Sequence, residues 1–196
     1  MSKPYPFAHK ARKRFGQNFL TDQNIINRIV TSINAKPSDR LIEIGPGQGA
    51  ITQQLIQACP QLQVIELDRD LIPILLAQFA KYPEFAIHQQ DALRFDFETL
   101  MIGEQPLRIV GNLPYNISTE ILSRWIINLK DNFWFDYLVL MFQKEVADRI
   151  IANFNKSTYG RLSILSNWKL NIKKMSLPTI LHRTVAVCSL GNFSLR

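Results

Sequence analysis

The sequence predicts an α/β protein with a doubly wound, mostly parallel sheet. Short apolar runs rich in branched residues alternate with helical patterns between residues 39 and 152. Such alternation is typical of a parallel sheet with helices on both faces. The first run, Leu41-Ile42-Glu43-Ile44, ends in a loop with three glycines, Gly45-Pro46-Gly47-Gln48-Gly49. In α/β sheets of this type, a first strand delivers a ligand-binding turn to the carboxyl edge in this way.

The composition agrees with one globular domain in a chain of 196 residues, 46% of them hydrophobic and 20% charged. A net charge of +7 favours a polyanionic partner. No apolar run approaches the roughly 18 residues that span a membrane, and the N-terminus lacks the apolar core of a secretory signal. Only Cys59 and Cys188 are present, without metal-ligand spacing. We therefore expect reduced thiols, no metal, no membrane contact and a cytoplasmic monomer.

Residues 1–20 are predicted to form a basic arm and a turn. The first fourteen residues contain five lysines or arginines and no acidic residue. Most basic termini are solvated tails, but Phe7, His9 and Phe15 are interleaved here, and such side chains can stack on bases. The candidate RNA-binding residues are Lys10, Arg12, Lys13 and Arg14.

The main domain is predicted over residues 21–174, and it opens with a helix capped by Thr21 or Asp22. The apolar face of this helix is predicted to contain Ile25, Ile26, Ile29, Val30 and Ile33. Further helices are expected over 51–58, over 71–80 with Pro73 in the first turn, and over 143–152. Further strands are expected over 64–68, 85–88, 107–110 and 137–142, followed by an edge strand over 169–174 and a partner over 184–190.

Glu66 supports the interpretation of the glycine loop as a ligand-binding loop. A glycine loop alone is also typical of a plain strand-to-helix turn. Glu66 lies in the second apolar run, Val64-Ile65-Glu66-Leu67-Asp68, 21 residues after Gly45. This is close to the roughly 20-residue offset at which an acidic side chain meets ribose hydroxyls. Glu43 lies just ahead of the loop and would repel a pyrophosphate, which argues against a nicotinamide dinucleotide and favours a cationic ligand with an amino group.

Asp91 follows the third predicted strand, and two interpretations of it stay open. It is either a loop carboxylate or helix cap, or it binds a ligand at the carboxyl edge. In the second case it would suit the exocyclic amine of a bound adenine. His88, just before it, has no carboxylate or cysteine at metal-ligand spacing and is interpreted as structural.

The fourth strand leads into Asn112-Leu113-Pro114-Tyr115, which we interpret as the reacting loop. One reaction that such a loop could assist is methyl transfer to the exocyclic amine of adenine. This amine is a poor nucleophile, because its lone pair is delocalised into the ring. Two hydrogen-bond acceptors placed for the reacting geometry would help it to attack a methyl group. The Asn112 side chain and the Leu113 carbonyl can supply them, because Pro114 restricts the turn. Tyr115 offers a face for a flipped base. A plain Asn-x-Pro turn is the alternative. The following helix is expected to be capped at Ser118 or Thr119, and Phe133-Trp134-Phe135 is expected to be core.

Six motifs in order resemble the ribosomal RNA adenine dimethyltransferase family, closest to its bacterial small-subunit members. They are Arg14 to Leu20, Glu43 to Gly49, Glu66-Leu67-Asp68, Gln90-Asp91-Ala92, Gly111 to Ile117 and Gln143 to Ala147. The resemblance implies a methyltransferase of the Rossmann-like type that uses S-adenosylmethionine to dimethylate two adjacent adenines in the 3′-terminal hairpin of small-subunit ribosomal RNA. It also implies a cofactor site lined by Asn18, Leu20, Gly45, Gly47, Glu66, Asp91, Ala92 and Asn112.

The tail, residues 175–196, departs from that family. The family carries a Phe-x-Pro-x-Pro-Lys-Val segment, whose aromatic ring helps to clamp the base, followed by a small helical domain. This chain has Met175-Ser176-Leu177-Pro178-Thr179-Ile180-Leu181-His182-Arg183 instead. The departure predicts a chain that binds S-adenosylmethionine but methylates ribosomal subunits poorly or not at all.

Two other functions stay open at this level. One is a methyltransferase for DNA adenine or a protein amide, although these have a second proline where this chain has Leu113. The other is a non-catalytic RNA-binding or ribosome-assembly factor that keeps the cofactor fold.

Overall fold

The computed structural model of the chain describes residues 20–113, 117–129, 134–175 and 183–190. Within these ranges the helices are α1 Gln23–Ile33, α2 Thr52–Ala58, α3 Ile72–Gln78, α4 Ser118–Asn128, α5 Lys144–Ile150 and α6 Arg161–Lys169. The strands are β1 Leu41–Ile44, β2 Gln63–Glu66, β3 Ala86–Gln89, β4 Leu107–Asn112, β5 Phe135–Gln143, β6 Leu170–Met175 and β7 Arg183–Leu190. A short 3₁₀ helix, Phe97–Leu100, precedes β4.

All seven strands belong to one sheet, in the order β3-β2-β1-β4-β5-β7-β6. Strands β1 to β5 are parallel to one another. Strand β7 is antiparallel to both of its neighbours, β5 and β6. The predicted doubly wound, mostly parallel sheet is therefore confirmed, and the order reverses direction between β1 and β4, where ligands bind in folds of this kind.

The two faces of the sheet carry separate cores, because successive strand side chains point to opposite faces. In β1, Leu41 packs on the face covered by α1 and α2, whereas Ile42 and Ile44 pack on the opposite face with α4 and α5. The same alternation in β5 gives Val139 to the first core and Leu138 to the second. Helices thus cover both faces, as the alternation of strands and helices requires.

The first helix forms as predicted. The Asp22 carboxylate caps it by accepting the backbone N–H groups of Asn24 and Ile25 at 2.9 and 3.2 Å. Asn34 ends it in the left-handed conformation with φ of 48°, which asparagine adopts more readily than most residues. Four isoleucines on one face, Ile25, Ile26, Ile29 and Ile33, are buried. Truncating one of them to alanine would cost about 2–5 kcal/mol of stability.

Two local predictions need correction at the end of β4. The strand extends beyond residue 110 and includes Gly111 and Asn112, because it stays paired with β5 as far as Met141. The predicted cap of α4 by Ser118 or Thr119 is wrong. Ile117 occupies the cap position without a side-chain hydrogen bond, and Ser118 lies buried inside the first turn.

The far end of the sheet matches the predicted strand pair. Strand β6 forms the edge, and β7 lies between β6 and β5 in a continuous antiparallel ladder. Trp134 and Phe135 are buried, as predicted for core residues. Both cysteines are free and buried. None of the helices in the described part of the chain has the length and hydropathy to cross a membrane.

Candidate active site at the carboxyl edge of the sheet

Four neighbouring strands bring the predicted polar residues to one edge of the sheet. Glu43 lies in β1, Glu66 ends β2 and Asn112 ends β4. Asp91 lies two residues beyond the end of β3. These strands are adjacent in the order β3-β2-β1-β4 and all run in the same direction. Residues that are far apart in the sequence therefore converge at the edge where such sheets bind ligands.

The glycine loop has a backbone that only glycine adopts readily. Gly45, Gly47 and Gly49 all have positive φ, at 66°, 59° and 81°. The Gly45 amide donates to the Ile65 carbonyl at 2.9 Å, which ties the loop to the neighbouring strand. A Cβ on Gly45 would meet the Asn112 carbonyl oxygen at 3.4 Å, and one on Gly49 would meet the Phe79 ring at 3.0 Å. The loop therefore passes close to the end of β4.

Glu66 is held by backbone amides under the glycine loop. The Gly47 amide donates to Oε2 at 3.3 Å, and the Asp68 amide donates to Oε1 at 2.8 Å. Burial raises the pKa of Glu66, and the amide hydrogen bonds oppose the rise. A carboxylate oxygen has two lone pairs, so each oxygen can still accept a ligand hydroxyl. The side chain is thus fixed in orientation and retains the acceptor capacity that a ribose needs.

Glu43 is a buried carboxyl with a hydroxyl partner. It is 2% exposed, and the Thr52 hydroxyl donates to its Oε2 at 2.6 Å. Burial raises the pKa of Glu43 to about 8; the Thr52 bond lowers this pKa, and the nearby Glu66 charge raises it. The carboxyl is therefore mostly protonated at neutral pH in the chain by itself. A cation beside it would favour the ionised form.

Thr52 is a functional candidate that sequence reasoning missed. It is the first residue of α2 and is fully buried beneath the glycine loop. Its position nine residues after Glu43 carries a usable signal. A hydroxyl at the start of the helix that follows a glycine loop can reach back to the preceding strand.

Asp91 fits its interpretation as a loop carboxylate, and its role in ligand binding stays a prediction. Its Oδ1 accepts the Leu93 amide at 3.0 Å, which is the bond of a loop carboxylate. The residue is also half-buried at the edge occupied by Glu43 and Glu66. Ala92 beside it is 7% exposed.

The reacting loop is described as far as Leu113. Asn112 is half-buried, and Leu113 is buried with its side chain near Gly111, in the core covered by α4. The predicted acceptor at Leu113 is its backbone carbonyl, and this role stays a prediction. Leu20 is 8% exposed and belongs to the core cluster with α1. The other predicted site residues, Pro114, Tyr115, Asn18, Lys10, Arg12, Lys13 and Arg14, lie outside the described residues.

The donor and acceptor set selects a class of ligand. Two buried carboxyl groups beside a glycine loop can accept hydroxyl and ammonium hydrogens, and a cation bound beside Glu43 would favour its ionised form. Among the described residues, no group of three or more His, Cys, Asp or Glu side chains could hold a metal ion. The edge is therefore suited to a nucleoside that carries a positive charge.

Comparisons with known proteins agree with this chemistry. A family model described as ribosomal RNA adenine dimethylase matches residues 8–177. The chain is 56% identical over 171 residues to a ribosomal RNA small subunit methyltransferase A from Saccharophagus degradans, with 85% of this chain and 61% of that protein covered. It is 53% identical over 167 residues to the protein of the same name from Pelagibacter ubique, with 85% and 62% covered. The chain thus spans about three fifths of the length of these relatives.

Solved structures support the same fold. A dimethyladenosine transferase from Plasmodium falciparum superposes with a TM-score of 0.73 at 24% identity, with 89% of this chain and 64% of that chain covered. A 23S rRNA methyltransferase, ErmE, superposes with a TM-score of 0.70 at 21% identity, with 89% and 70% covered. At these identities the likeness concerns the fold alone.

Proposed function

This chain belongs to the ribosomal RNA adenine dimethylase family, and we propose that it transfers methyl groups from S-adenosylmethionine to the exocyclic amines of adenines in ribosomal RNA. The observation that carries the proposal is the convergence of Glu43, Glu66, Asp91 and Asn112 at the ends of four adjacent strands. We assign three of them to binding the cofactor and the fourth, Asn112, to the reaction of the target adenine.

The cofactor fits the residues that are present. Glu66 would accept the ribose hydroxyls, and Asp91 would accept the exocyclic amine of the cofactor adenine. Glu43 would face the methionine ammonium group with Thr52 as its hydrogen-bond partner. The positive φ of Gly45 and Gly47 lets the backbone approach the ligand closely. A protein of similar fold, Streptococcus pneumoniae Sp1610, was solved in complex with S-adenosyl-L-methionine, with a TM-score of 0.61 and 12% identity to this chain.

Asn112 and Leu113 would prepare the target amine. The adenine amine has its lone pair delocalised into the ring, so it must pyramidalise before it can attack. The Asn112 side-chain oxygen and the Leu113 carbonyl would accept its two hydrogens and direct the lone pair outward. This is preorganised electrostatic assistance of the kind that an oxyanion hole gives with opposite polarity. When bound, S-adenosylmethionine would supply a sulfonium methyl group, with the neutral thioether as the leaving group. The methylated amine would be cationic and acidic, so it would lose its proton to solvent without a strong base.

We propose the 3′-terminal hairpin of small-subunit ribosomal RNA as the substrate, with two adjacent adenines as targets. The proposal rests on the six motifs shared with the bacterial small-subunit members and on the names of the relatives. The basic arm before Phe15 favours RNA over DNA as the polyanion. Leu113 supports the same choice, because methyltransferases for DNA adenine usually have a second proline at that position.

A methyl-transfer assay tests the proposal. Radiolabelled S-adenosylmethionine is incubated with the chain and with under-methylated small ribosomal subunits, naked ribosomal RNA or adenine-containing DNA. Label in RNA adenines supports the proposal, and label in DNA supports the alternative enzyme. Cofactor and RNA binding without any label in single-turnover conditions would identify a non-catalytic factor, which the divergent tail favours as the second candidate.

A further inference from the structure

Charge is divided unevenly along the chain. Asp148 is the last acidic residue, and the 48 residues that follow it contain eight lysines or arginines. Residues 20–142, which build the cofactor edge, contain fourteen acidic and nine basic residues. Residues 143–175, which form α5, α6 and β6, contain seven basic and two acidic residues. The net positive charge is therefore concentrated outside the part of the sheet that carries Glu43, Glu66 and Asp91.

Two of these lysines, Lys144 and Lys174, meet at one corner of the sheet, and the exposed Lys173 lies beside Lys174 on the opposite face of the edge strand β6. We name Lys144, Lys173 and Lys174 the basic corner. Lys144 is the first residue of α5, and Lys174 lies near the end of β6. Their ammonium groups lie on either side of the Asp148 carboxylate, at 2.5 Å from Oδ2 and 3.0 Å from Oδ1. Lys173 is exposed on the same strand. One aspartate therefore fixes two lysines from different elements side by side.

The basic corner lies on the same edge as the reacting loop. Asn112 pairs with Met141 of β5, Met141 with Val185 of β7, and Val185 with Met175 of β6. This row crosses the sheet in three steps of about 4.8 Å, so Met175 lies roughly 14 Å from Asn112. Lys174 directly precedes Met175, and Lys144 begins the helix that follows β5. A nucleic acid strand that presents a base to Asn112 could therefore reach both lysines.

Pairing with Asp148 leaves the corner able to bind anions. An ammonium group has three N–H donors, and each lysine uses one of them on Asp148 in the described contacts. The hydrogen bonds of Lys144 and then Lys174 lower the pKa of Asp148, so it stays ionised and keeps the two lysines in place. The side chains of Lys144 and Lys174 are 49% and 40% exposed. The Glu145 charge also acts on Lys144, so three cations face two carboxylates and leave a net charge of +1.

We propose that Lys144 and Lys174, organised by Asp148, and the neighbouring Lys173 bind the sugar–phosphate backbone of the RNA next to the target adenine. The inference rests on the proposed function for the identity of the polyanion, and it adds a second electrostatic contact surface to the N-terminal arm. Phosphate contacts position a nucleic acid and carry no sequence information. The basic corner therefore sets the register of the strand over Asn112, while the reacting loop handles the base.

The test is the salt dependence of RNA binding. The probe is a fluorescent RNA hairpin with two adjacent unpaired adenines, titrated with the full chain at several KCl concentrations. The variant Lys144→Gln, Lys173→Gln, Lys174→Gln should lose about 0.7–0.9 of log–log slope for each phosphate contact removed, or roughly 2–3 in total. Its affinity for S-adenosylmethionine should stay within twofold of the parent, because none of the three residues approaches the glycine loop.

Two control variants test whether a change in slope comes from the position of the three lysines and from their charge. Arg28→Gln, Lys36→Gln, Lys81→Gln removes three exposed cations from the acidic part of the molecule and should leave the slope unchanged. Replacing the three corner lysines with arginine keeps the charge and should keep the slope, which separates phosphate binding from a purely structural role. A glutamine variant with the parental slope would overturn the inference and leave the proposed function intact. A parent chain without salt-dependent RNA binding would overturn both.

Discussion

The two halves of the carboxyl edge of the sheet differ in charge and in burial. At the β1–β3 half, Glu43 and Glu66 are 2% and 6% exposed and are held by a hydroxyl and by backbone amides. At the β5–β6 half, Lys144 and Lys174 are about half exposed and share Asp148. Asn112 lies between the two halves, at the end of β4.

This difference suggests two styles of recognition in one site. A small cofactor can be enclosed, so a few buried groups in fixed positions are enough to select it. Each buried group contributes several times more binding free energy than an exposed group. A long polyanion stays in solvent, so it is attracted by many exposed charges of small individual value. Single substitutions should therefore have large effects in the acidic half and small, salt-dependent effects in the basic half.

The largest effect is expected at the boundary between the halves. Asn112→Ala should reduce the single-turnover methylation rate by a factor on the order of 10²–10³, the usual loss for one preorganised polar group. Its cofactor affinity should stay within about tenfold of the parent, because the other polar contacts remain. Rapid-quench measurement with enzyme in excess gives the rate, and Asn128→Ala on the exposed end of α4 is the control. A variant as fast as the parent would exclude the acceptor mechanism.

Within the acidic half, Glu66→Ala should weaken S-adenosylmethionine binding by roughly 1.5–3 kcal/mol, the usual worth of hydrogen bonds to a charged group. Isothermal titration calorimetry measures this, with the exposed Glu84→Ala as the matched control. RNA affinity should not change, because the basic half does not use this carboxylate. If cofactor affinity were equal in Glu66→Ala and the parent, Glu66 would have no part in the site.

A change in the tail should increase the rate of methyl transfer, whereas the preceding substitutions should reduce activity or binding. The segment 176–182 between β6 and β7 has seven residues, as does the family segment Phe-x-Pro-x-Pro-Lys-Val. Exchanging one for the other should raise the rate of methyl transfer by roughly 5- to 150-fold, since a base-stacking partner is worth about 1–3 kcal/mol. The same exchange with alanine in place of the phenylalanine should give no gain. Full activity of the chain as it stands would show that its own tail supplies the missing contact.

Because Glu43 is buried, we expect the stability of the chain to depend on pH. Its pKa is about 8 in the folded chain and 4.5 ordinarily, so between these values the folded state holds a proton that the unfolded state releases. The free energy of unfolding should therefore fall as pH rises from 5 to 8, by up to about 1.4 kcal/mol per pH unit. Glu43→Gln should flatten this dependence in urea titrations without cofactor. The prediction fails if parent and variant have the same pH slope.

The smallest effect per residue is expected in the N-terminal arm. If Lys10, Arg12, Lys13 and Arg14 contact phosphates, replacing all four with glutamine should lower the log–log salt slope of RNA binding by about 0.7–0.9 for each contact. Combining this variant with the glutamine variant of the basic corner should give additive losses, because the two surfaces would bind different phosphates. An unaltered slope in the arm variant would make the arm a solvated tail.

Much of this molecule follows from local sequence. The alternation of branched apolar runs with helical patterns predicts the parallel sheet. The spacing from Gly45 to Glu66 predicts that the glycine loop and the Glu66 carboxylate lie at the same edge, because parallel strands all end at that edge. The Asp22 cap and the buried face of α1 also follow from nearest-neighbour chemistry. The cap and the buried face of α1 depend on backbone geometry within one helix, which the sequence displays directly, whereas the shared edge depends on the parallel direction of the strands.

Other features depend on pairing between distant segments, which no local pattern contains. Strand β4 extends to Asn112 only because β5 continues to pair with it, and α4 begins without the expected serine cap because Ser118 is buried in the first turn. The pKa of Glu43 reflects burial and the hydroxyl of Thr52 nine residues away. The basic corner exists because β7 places β6 two strands from β5, so that Lys174 reaches an aspartate 26 residues earlier in the chain. The sequence determines which residues are available at this edge, and the packing of the sheet decides which of them meet.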